Sequence, residues 1–398
     1  MTITFVSNYI NHHQIPFSNA CYQSLGEGYR FIQTEPMEEE RVAMGWGKGV
    51  DGLPYVKYLY EDGPACRKLI LESDIVVFGW TRQEDLLDVT EMIKKRLENG
   101  KPSLRVSERL YREGQWKAVS PRGLVRKYKD HTRFGKQPVG LLCAGAYVAS
   151  DFHIVRAYPD KMFRFGYFPE TRQYTEEGLA AKKMRDGKIH MVWAGRFLPL
   201  KHPEFAVRIG EELFREGRKF HIHMAGSGEL EETVRGQVRE KGLEDMFTFY
   251  GYTEPARVRE IMEKCHVHLF TSNHLEGWGA VVNEAMNSGC AVVANAEAGA
   301  VPFLLRHGEN GLVYRKTYGE FAAQVKALAA DPDRIWRLGW AAYETVANGW
   351  NAEHAAAEFL RFCRELAETG RMVPAAEGPL SVAPVKVYGR KVFLFNTF

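Results

Sequence analysis

The 398-residue sequence has little that would staple, anchor or metallate a fold. Its six cysteines, at 21, 66, 143, 265, 290 and 363, form no CxxC pair and no dense framework. Such usage excludes a disulfide scaffold and predicts a reduced, cytoplasmic setting. Cys143, Cys265 and Cys290 lie in or beside apolar stretches, where a free thiol acts as a small hydrophobe. No run of about 18 apolar residues is present, so no membrane span is expected. The opening residues, Met1–Ile10, lack the basic region and long apolar segment of a signal peptide. No Cys/His spacing fits a metal site, and Asp331-Pro332-Asp333 reads as a helix start, so no metal or other cofactor is expected. Net charge is only +3, too small to point to nucleic acid.

What is present is the balance of a soluble globular protein, 45% hydrophobic and 26% charged, at a length that fits two domains of roughly 100–200 residues each. Ile3–Ser7 and Asp74–Trp80 read as short buried strands, with Ser103–Ser107 and Val139–Ala144 as further candidates and helix-like segments such as Gln83–Glu98 between them. The alternation starts afresh after residue 185. Strands are expected at Lys188–Ala194, Phe220–Ala225, Met246–Tyr250, Val267–Thr271 and Ala291–Ala294. Helices are expected at Glu204–Glu216, Glu231–Lys241, Ala256–Lys264 and Ala280–Ser288. Alternating strands and helices indicate parallel sheets. The fold class expected is therefore α/β, with two Rossmann-like doubly wound domains and ligands in a cleft at the strand C-termini. Residues 1–170 and 171–370 would form the domains, connected through Phe165–Glu170. Residues 371–398 would form a tail, with a hairpin over Val385–Phe395, returning to the first domain or to a membrane.

Two constellations in the second half carry chemistry. In Leu275-Glu276-Gly277-Trp278-Gly279-Ala280-Val281-Val282-Asn283-Glu284, a loop after a strand opens a helix. Its glycines allow close backbone approach, and free amides at the helix start favour an anion. Glu276 and Glu284 cannot hold a phosphate and suit sugar hydroxyls better; taken alone, their spacing would fit a helix cap and a surface charge. In Gly195-Arg196-Phe197-Leu198-Pro199-Leu200-Lys201-His202, two cations five residues apart on a strand-end loop are suited to a pyrophosphate. Ala225-Gly226-Ser227-Gly228-Glu229 lacks the third glycine of a dinucleotide fingerprint, which argues against NAD. His221 and His223 alternate with apolar residues, a core pattern rather than a metal site.

Together these motifs resemble the retaining glycosyltransferases of family 4, the glycosyl transferases group 1, which have the GT-B fold. The resemblance covers residues 188–367. It rests on Gly195-Arg196…Lys201, Gly226-Ser227-Gly228, Phe249-Tyr250-Gly251, Glu276-Gly277-Trp278-Gly279…Glu284, the 284–294 segment EAMNSGCAVVA, Gly308-Glu309-Asn310-Gly311-Leu312-Val313, and Trp350-Asn351. It implies a nucleotide-sugar donor, a glycan or lipid-linked acceptor, and metal-independent transfer of a hexose-type sugar with retention. Arg196 and Lys201 would hold the diphosphate and Glu284 the ribose. Glu276 would meet the transferred sugar, beside Gly277 and the Trp278 and Gly279 amides, and backbone near Tyr252 and Thr253 would meet the base. The chain departs from the pattern at Ala298-Gly299-Ala300-Val301-Pro302, where an acidic residue is missing.

The first half is less informative. The loop Asn8–Gln14 has no glycine pair; His12 and His13 within it are candidates for an acceptor site or simply loop surface. Glu108 and Arg109 are candidates for acceptor binding or for an ordinary salt bridge. Val106–Tyr111 and Gly166–Glu170 resemble a subgroup from bacterial surface-polysaccharide pathways. Lys94–Lys136 holds fourteen Lys/Arg against four Asp/Glu, a net of +10 that includes Tyr111, Trp116 and Tyr128 among its cations. With Lys386, Arg390 and Lys391 in the tail, it predicts reversible association with an anionic membrane at the inner face of the cell, against the alternative of a solvated basic face. The rival readings are a catalytically silent GT-B scaffold or partner subunit, a sugar-nucleotide epimerase, and a phosphorylase for which no pyridoxal lysine can be identified. The intact set Arg196, Lys201, Glu276 and Glu284 argues against a silent copy.

Overall fold

The structure is a computed structural model and describes residues 1–43, 47, 49–50, 52–81, 86–111 and 120–385. Trp116 and nearly all of the expected tail hairpin lie outside the described residues. The chain divides into two compact units, one of Met1–Glu170 with Asn351–Phe398, the other of Thr171–Trp350.

The first unit is built on a seven-stranded parallel sheet of β1 (Ile3–Ser7), β2 (Tyr29–Gln33), β3 (Val56–Tyr58), β4 (Ile75–Phe78), β5 (Ser103–Ser107), β6 (Val139–Ala144) and β7 (Met162–Phe165), in the order β3-β2-β1-β4-β5-β6-β7. β1, β4 and β6 are buried along their whole length, which is why they read as continuous apolar runs rather than alternating ones. The order reverses beside β1, so the switch point of this sheet lies at the ends of β1 and β4. Arg96, on the helix Val89–Glu98, is fully buried. Its guanidinium donates to the carbonyls of Ile70, Ser73, Asp74 and Pro102 and to the Ser103 hydroxyl. One cation of the expected basic stretch is thus an internal staple.

The second unit is a six-stranded parallel sheet of β8 (Ile189–Ala194), β9 (Phe220–Ala225), β10 (Phe247–Gly251), β11 (Val267–Phe270), β12 (Ala291–Asn295) and β13 (Leu312–Tyr314), ordered β10-β9-β8-β11-β12-β13. One face packs Met191, Trp193, Ile222, Met224, Val267 and Leu269 into a large core. The other carries the histidines. His190 Nδ1 meets His223 Nε2 at 2.9 Å, and His223 Nδ1 meets the Tyr250 hydroxyl at 2.9 Å. His221 pairs with the Thr248 hydroxyl at 2.8 Å, so these rings satisfy one another across the strands.

The second unit ends earlier than the sequence suggests, at Trp350 rather than 370. The helix Ala352–Thr369 belongs to the first unit because its apolar face packs there: Phe359 lies 5.4 Å from Phe17 and Phe362 lies 4.7 Å from Phe163, ring to ring. Residues 380–383 then run along β7, with the Arg164 amide donating to the Ser381 carbonyl and the Ala383 amide to that of Met162. No helix among the described residues is long and apolar enough to cross a membrane.

Candidate active site

The loops that leave β8, β9 and β10 are laced by backbone alone. Gly195 donates to the Ala225 carbonyl (3.0 Å), Phe197 to that of Ser227 (2.9 Å), and Gly226 to that of Gly251 (2.9 Å). This closeness explains the glycines. Gly226 sits at φ +132°, and a Cβ there would lie 1.9 Å from the Gly195 carbonyl oxygen. The Gly-Ser-Gly turn therefore seats the Gly195-Arg196 loop.

Beyond Arg196, Pro199–Lys201 forms one 3₁₀ turn, and His202 adopts a left-handed conformation (φ +47°). The Lys201 carbonyl accepts from the Thr271 hydroxyl, which itself accepts from the Trp193 indole at 2.9 Å. The Asn273 amide donates to the Leu200 carbonyl at 2.9 Å, and the Glu276 amide to the Asn273 carbonyl at 3.0 Å. These bonds bring together two sequence motifs 75 residues apart, and the Lys201 ammonium pairs with the Glu276 carboxylate. Each side chain of that pair is 16% exposed, enough for a ligand to reach both. Arg196 is exposed on the same loop, and its guanidinium pairs with no carboxylate among the described residues.

Gly279 (φ +92°) carries the chain under Phe270, where a Cβ would meet the ring at 2.7 Å. The helix Val281–Asn287 follows. The Trp278 side chain is turned into the interior of the second unit. It is 1% exposed, donates its indole N–H to Asn283 Oδ1 (2.9 Å), and packs against Phe303 and Trp350. Only its backbone can serve a donor. Glu284 is half-buried, and burial pushes its carboxyl up to about 7, against the opposing pull of Arg259 and Arg172. Both arginines hydrogen-bond Asn287 Oδ1, Arg172 through its amide at 2.8 Å. At the end of β10, Tyr252 is half exposed and the Thr253 hydroxyl donates to the Gly251 carbonyl.

Several residues here carried no usable sequence signal. Asn273 is one. Arg172 and Arg259 are others, the first in a linker and the second hidden within an amphipathic helix. Glu297 precedes the segment where the acidic residue is missing, yet it reaches the same loop: its carboxylate lies 3.9 Å from His274 Nδ1 and 3.8 Å from Lys316 Nζ.

In the first unit, the His12 and His13 rings contact each other at 3.8 Å, in the turn after β1. Burial lowers His12 to about 4; burial and then the neighbouring His12 hold His13 well below the usual histidine range, so both are neutral. His13 lies 6.1 Å from the Tyr167 ring, and the Tyr167 hydroxyl donates to Glu108 at 2.8 Å, which gathers three of the four acceptor candidates. Arg109 is the exception. Its side chain is 2% exposed and pairs with buried Asp151 at 3.3 Å. Asp151 also accepts the Leu110 and Tyr111 amides. The ordinary salt bridge thus holds for Arg109: it fixes the loop after β5 and is not presented to an acceptor.

Residues 176–345, within the second unit, match the family described as Glycosyl transferases group 1. Among curated proteins, a D-inositol 3-phosphate glycosyltransferase of Nocardia farcinica is 29% identical over 178 residues, covering 43% of this chain and 39% of the relative. A 2-deoxystreptamine glucosyltransferase of Streptomyces kanamyceticus is 29% identical over 164 residues, covering 41% and 42%. The chain thus spans about two fifths of these relatives' lengths. Among solved structures, Anabaena HepE in complex with UDP matches 91% of this chain and 100% of its own with a TM-score of 0.65 at 14% identity. Sucrose-phosphate synthase of Thermosynechococcus elongatus matches 92% and 99%, with a TM-score of 0.62 at 14% identity. The fold class is GT-B, with two Rossmann-like parallel-sheet domains.

Proposed function

We propose that the chain is a retaining glycosyltransferase. It takes a hexose-type sugar from a nucleoside-diphosphate donor held on the second unit to a glycan or lipid-linked acceptor recognised by the first, without a metal. The observation that carries this reading is the Lys201–Glu276 pair, two opposite charges held within reach of solvent by backbone bonds from two strand-end loops. A diphosphate competes with Glu276 for Lys201. When it binds, the ammonium turns to phosphate with Arg196, and the freed carboxylate accepts hydrogen bonds from the sugar. In the transfer, the bond from the anomeric carbon to the diphosphate oxygen breaks. The acceptor oxygen bonds to that carbon on the same face, and its proton passes to the departing phosphate. Arg196 and Lys201 stabilise the charge that collects there, the role a metal plays in other transferases. Glu284 receives the ribose hydroxyls, and the backbone at Tyr252 and Thr253 lies beside the base.

Steady-state transfer kinetics with a panel of nucleotide-sugars test this. Lys201→Ala slows transfer by roughly 10²-fold, the scale for losing one charge-stabilising group. Glu276→Gln lowers kcat more than it changes KM. EDTA leaves the rate unchanged. Wild-type rates in Lys201→Ala, or activity lost in EDTA and restored by Mg²⁺, would overturn the assignment.

A further inference from the structure

The helix Pro121–Asp130 buries none of its ten residues. Three of the eleven large apolar side chains exposed among the described residues lie on it within five positions: Leu124 (44%), Val125 (55%) and Tyr128 (59%). At helical spacing, Pro121, Leu124, Val125 and Tyr128 form one continuous arc. Arg122 and Lys129 border it on one side and Lys127 on the other. Both ends of the segment are anchored. Ser120 caps it by accepting from the Gly123 amide. Beyond its last turn, His131 is buried, bonded to the Tyr158 hydroxyl at 2.8 Å. The Asp130 carbonyl accepts from Arg105. A ten-residue helix is marginal in water by itself, and most helices are stabilised by burying an apolar stripe. This one turns its stripe to solvent.

We infer that this helix docks the first unit on a lipid surface bearing anionic headgroups, independently of the transfer reaction. The arc enters the headgroup–acyl boundary while the bordering cations meet lipid phosphates, the arrangement of an interfacial helix. Charge decides the occupant. A second copy of the same face would set Lys127 against Arg122 and Lys129. A free phosphate has no use for Leu124, Val125 and Tyr128. The only acidic residue on the helix, Asp130, lies beside Arg126 at 3.6 Å, away from the arc. Of the wider basic stretch, Arg96 and Arg109 are used internally, and among its described residues the helix is where exposed charge coincides with exposed apolar surface.

The test is flotation of the full chain with phosphatidylcholine vesicles, with and without phosphatidylglycerol. The protein is expected to float with the mixed vesicles at low salt, to stay down with the neutral ones, and to be released by high salt. Leu124→Ser/Val125→Ser/Tyr128→Ser is expected to weaken partition at least about ten-fold. Arg122→Gln and Lys129→Gln are each expected to weaken it about five-fold. Because the altered side chains are exposed, thermal unfolding and donor binding stay at wild-type values, which separates loss of docking from misfolding and from failure of the transferase reading. Flotation of the triple variant like wild type would overturn the inference, as would binding indifferent to phosphatidylglycerol. A concentration-dependent dimer abolished by the triple variant, with no flotation, would also overturn it by showing that the face meets a second copy.

Discussion

Glu284 joins the physics of burial to the binding of a donor. Its half-buried carboxyl has its pKa raised from 4.5 to about 7, so the folded chain holds this proton more tightly than the unfolded chain does. Its contribution to stability is therefore present at low pH and is lost as pH rises through about 7. Glu284→Gln keeps the neutral form at every pH. In the unliganded protein it should match wild type near pH 4, below the unfolded value of 4.5, and melt higher at pH 8, while raising donor KM because the ionised acceptor of ribose hydrogen bonds is gone. Thermal unfolding at the two pH values, with donor titrations, checks both; equal melting at pH 8 would show that no desolvation is stored there. The position of Glu284 was legible in the sequence because its motif is dense. Its electrostatics were not, since Arg172 and Arg259 come from distant segments and meet it only in the folded unit. Arg109 shows the converse: a charged residue at a strand end looks like a ligand-binding group until Asp151, forty-two residues on, takes it.

Strands and their loops were the most legible elements. Ile3–Ser7, Ser103–Ser107, Val139–Ala144 and Phe220–Ala225 are found as expected; Val139–Ala144, buried along its whole length, writes a continuous apolar run, while Phe220–Ala225 alternates apolar residues with histidines. β3 and β13 have three residues each, too short for a pattern to stand out. The helix expected over Gln83–Glu98 is described only from Val89, where Asp88 caps it by accepting the Glu91 amide. Motif glycines were visible, but their reason was only half visible. At Gly226 the requirement is for two backbones to touch, before any ligand arrives. Gly226→Ala forces a Cβ against the Gly195 carbonyl at a positive φ, so the loops after β8 and β9 must part. The expected cost is about 3 kcal/mol or more, with nucleoside-diphosphate binding lost in parallel. Denaturant unfolding and calorimetry measure the two together. A stable variant with intact binding would mean that the loops tolerate separation and that Arg196 and Lys201 need no such seat.

Across the whole molecule, the chain leaves the first unit at Glu170 and rejoins it at Asn351, so the first unit is discontinuous in sequence. Motif reading could not see this. The family pattern runs on past Trp350-Asn351 into the last helix, and the apolar face of Ala352–Thr369 does not announce which core it completes. The packing does. Phe359, Leu360, Phe362, Cys363 and Leu366 are buried on this helix, with Phe17 and Phe163 among their partners. Burying a large apolar side chain contributes roughly 1.5–3 kcal/mol, so Phe359, Leu360, Phe362 and Leu366 together contribute about 6–12 kcal/mol as an upper estimate. That is comparable to the whole stability of a typical domain, about 5–15 kcal/mol. Ending the chain after Trp350 should therefore unfold the first unit and leave the second standing, since the core of β8–β13 and the Lys201–Glu276 pair lie entirely within Thr171–Trp350. Calorimetry of the truncated chain should show one transition where the full chain unfolds both units. Limited proteolysis should spare residues 171–350, and nucleoside-diphosphate binding should persist while transfer disappears. If the truncated chain keeps a folded first unit, Ala352–Thr369 is an appendage rather than part of that core.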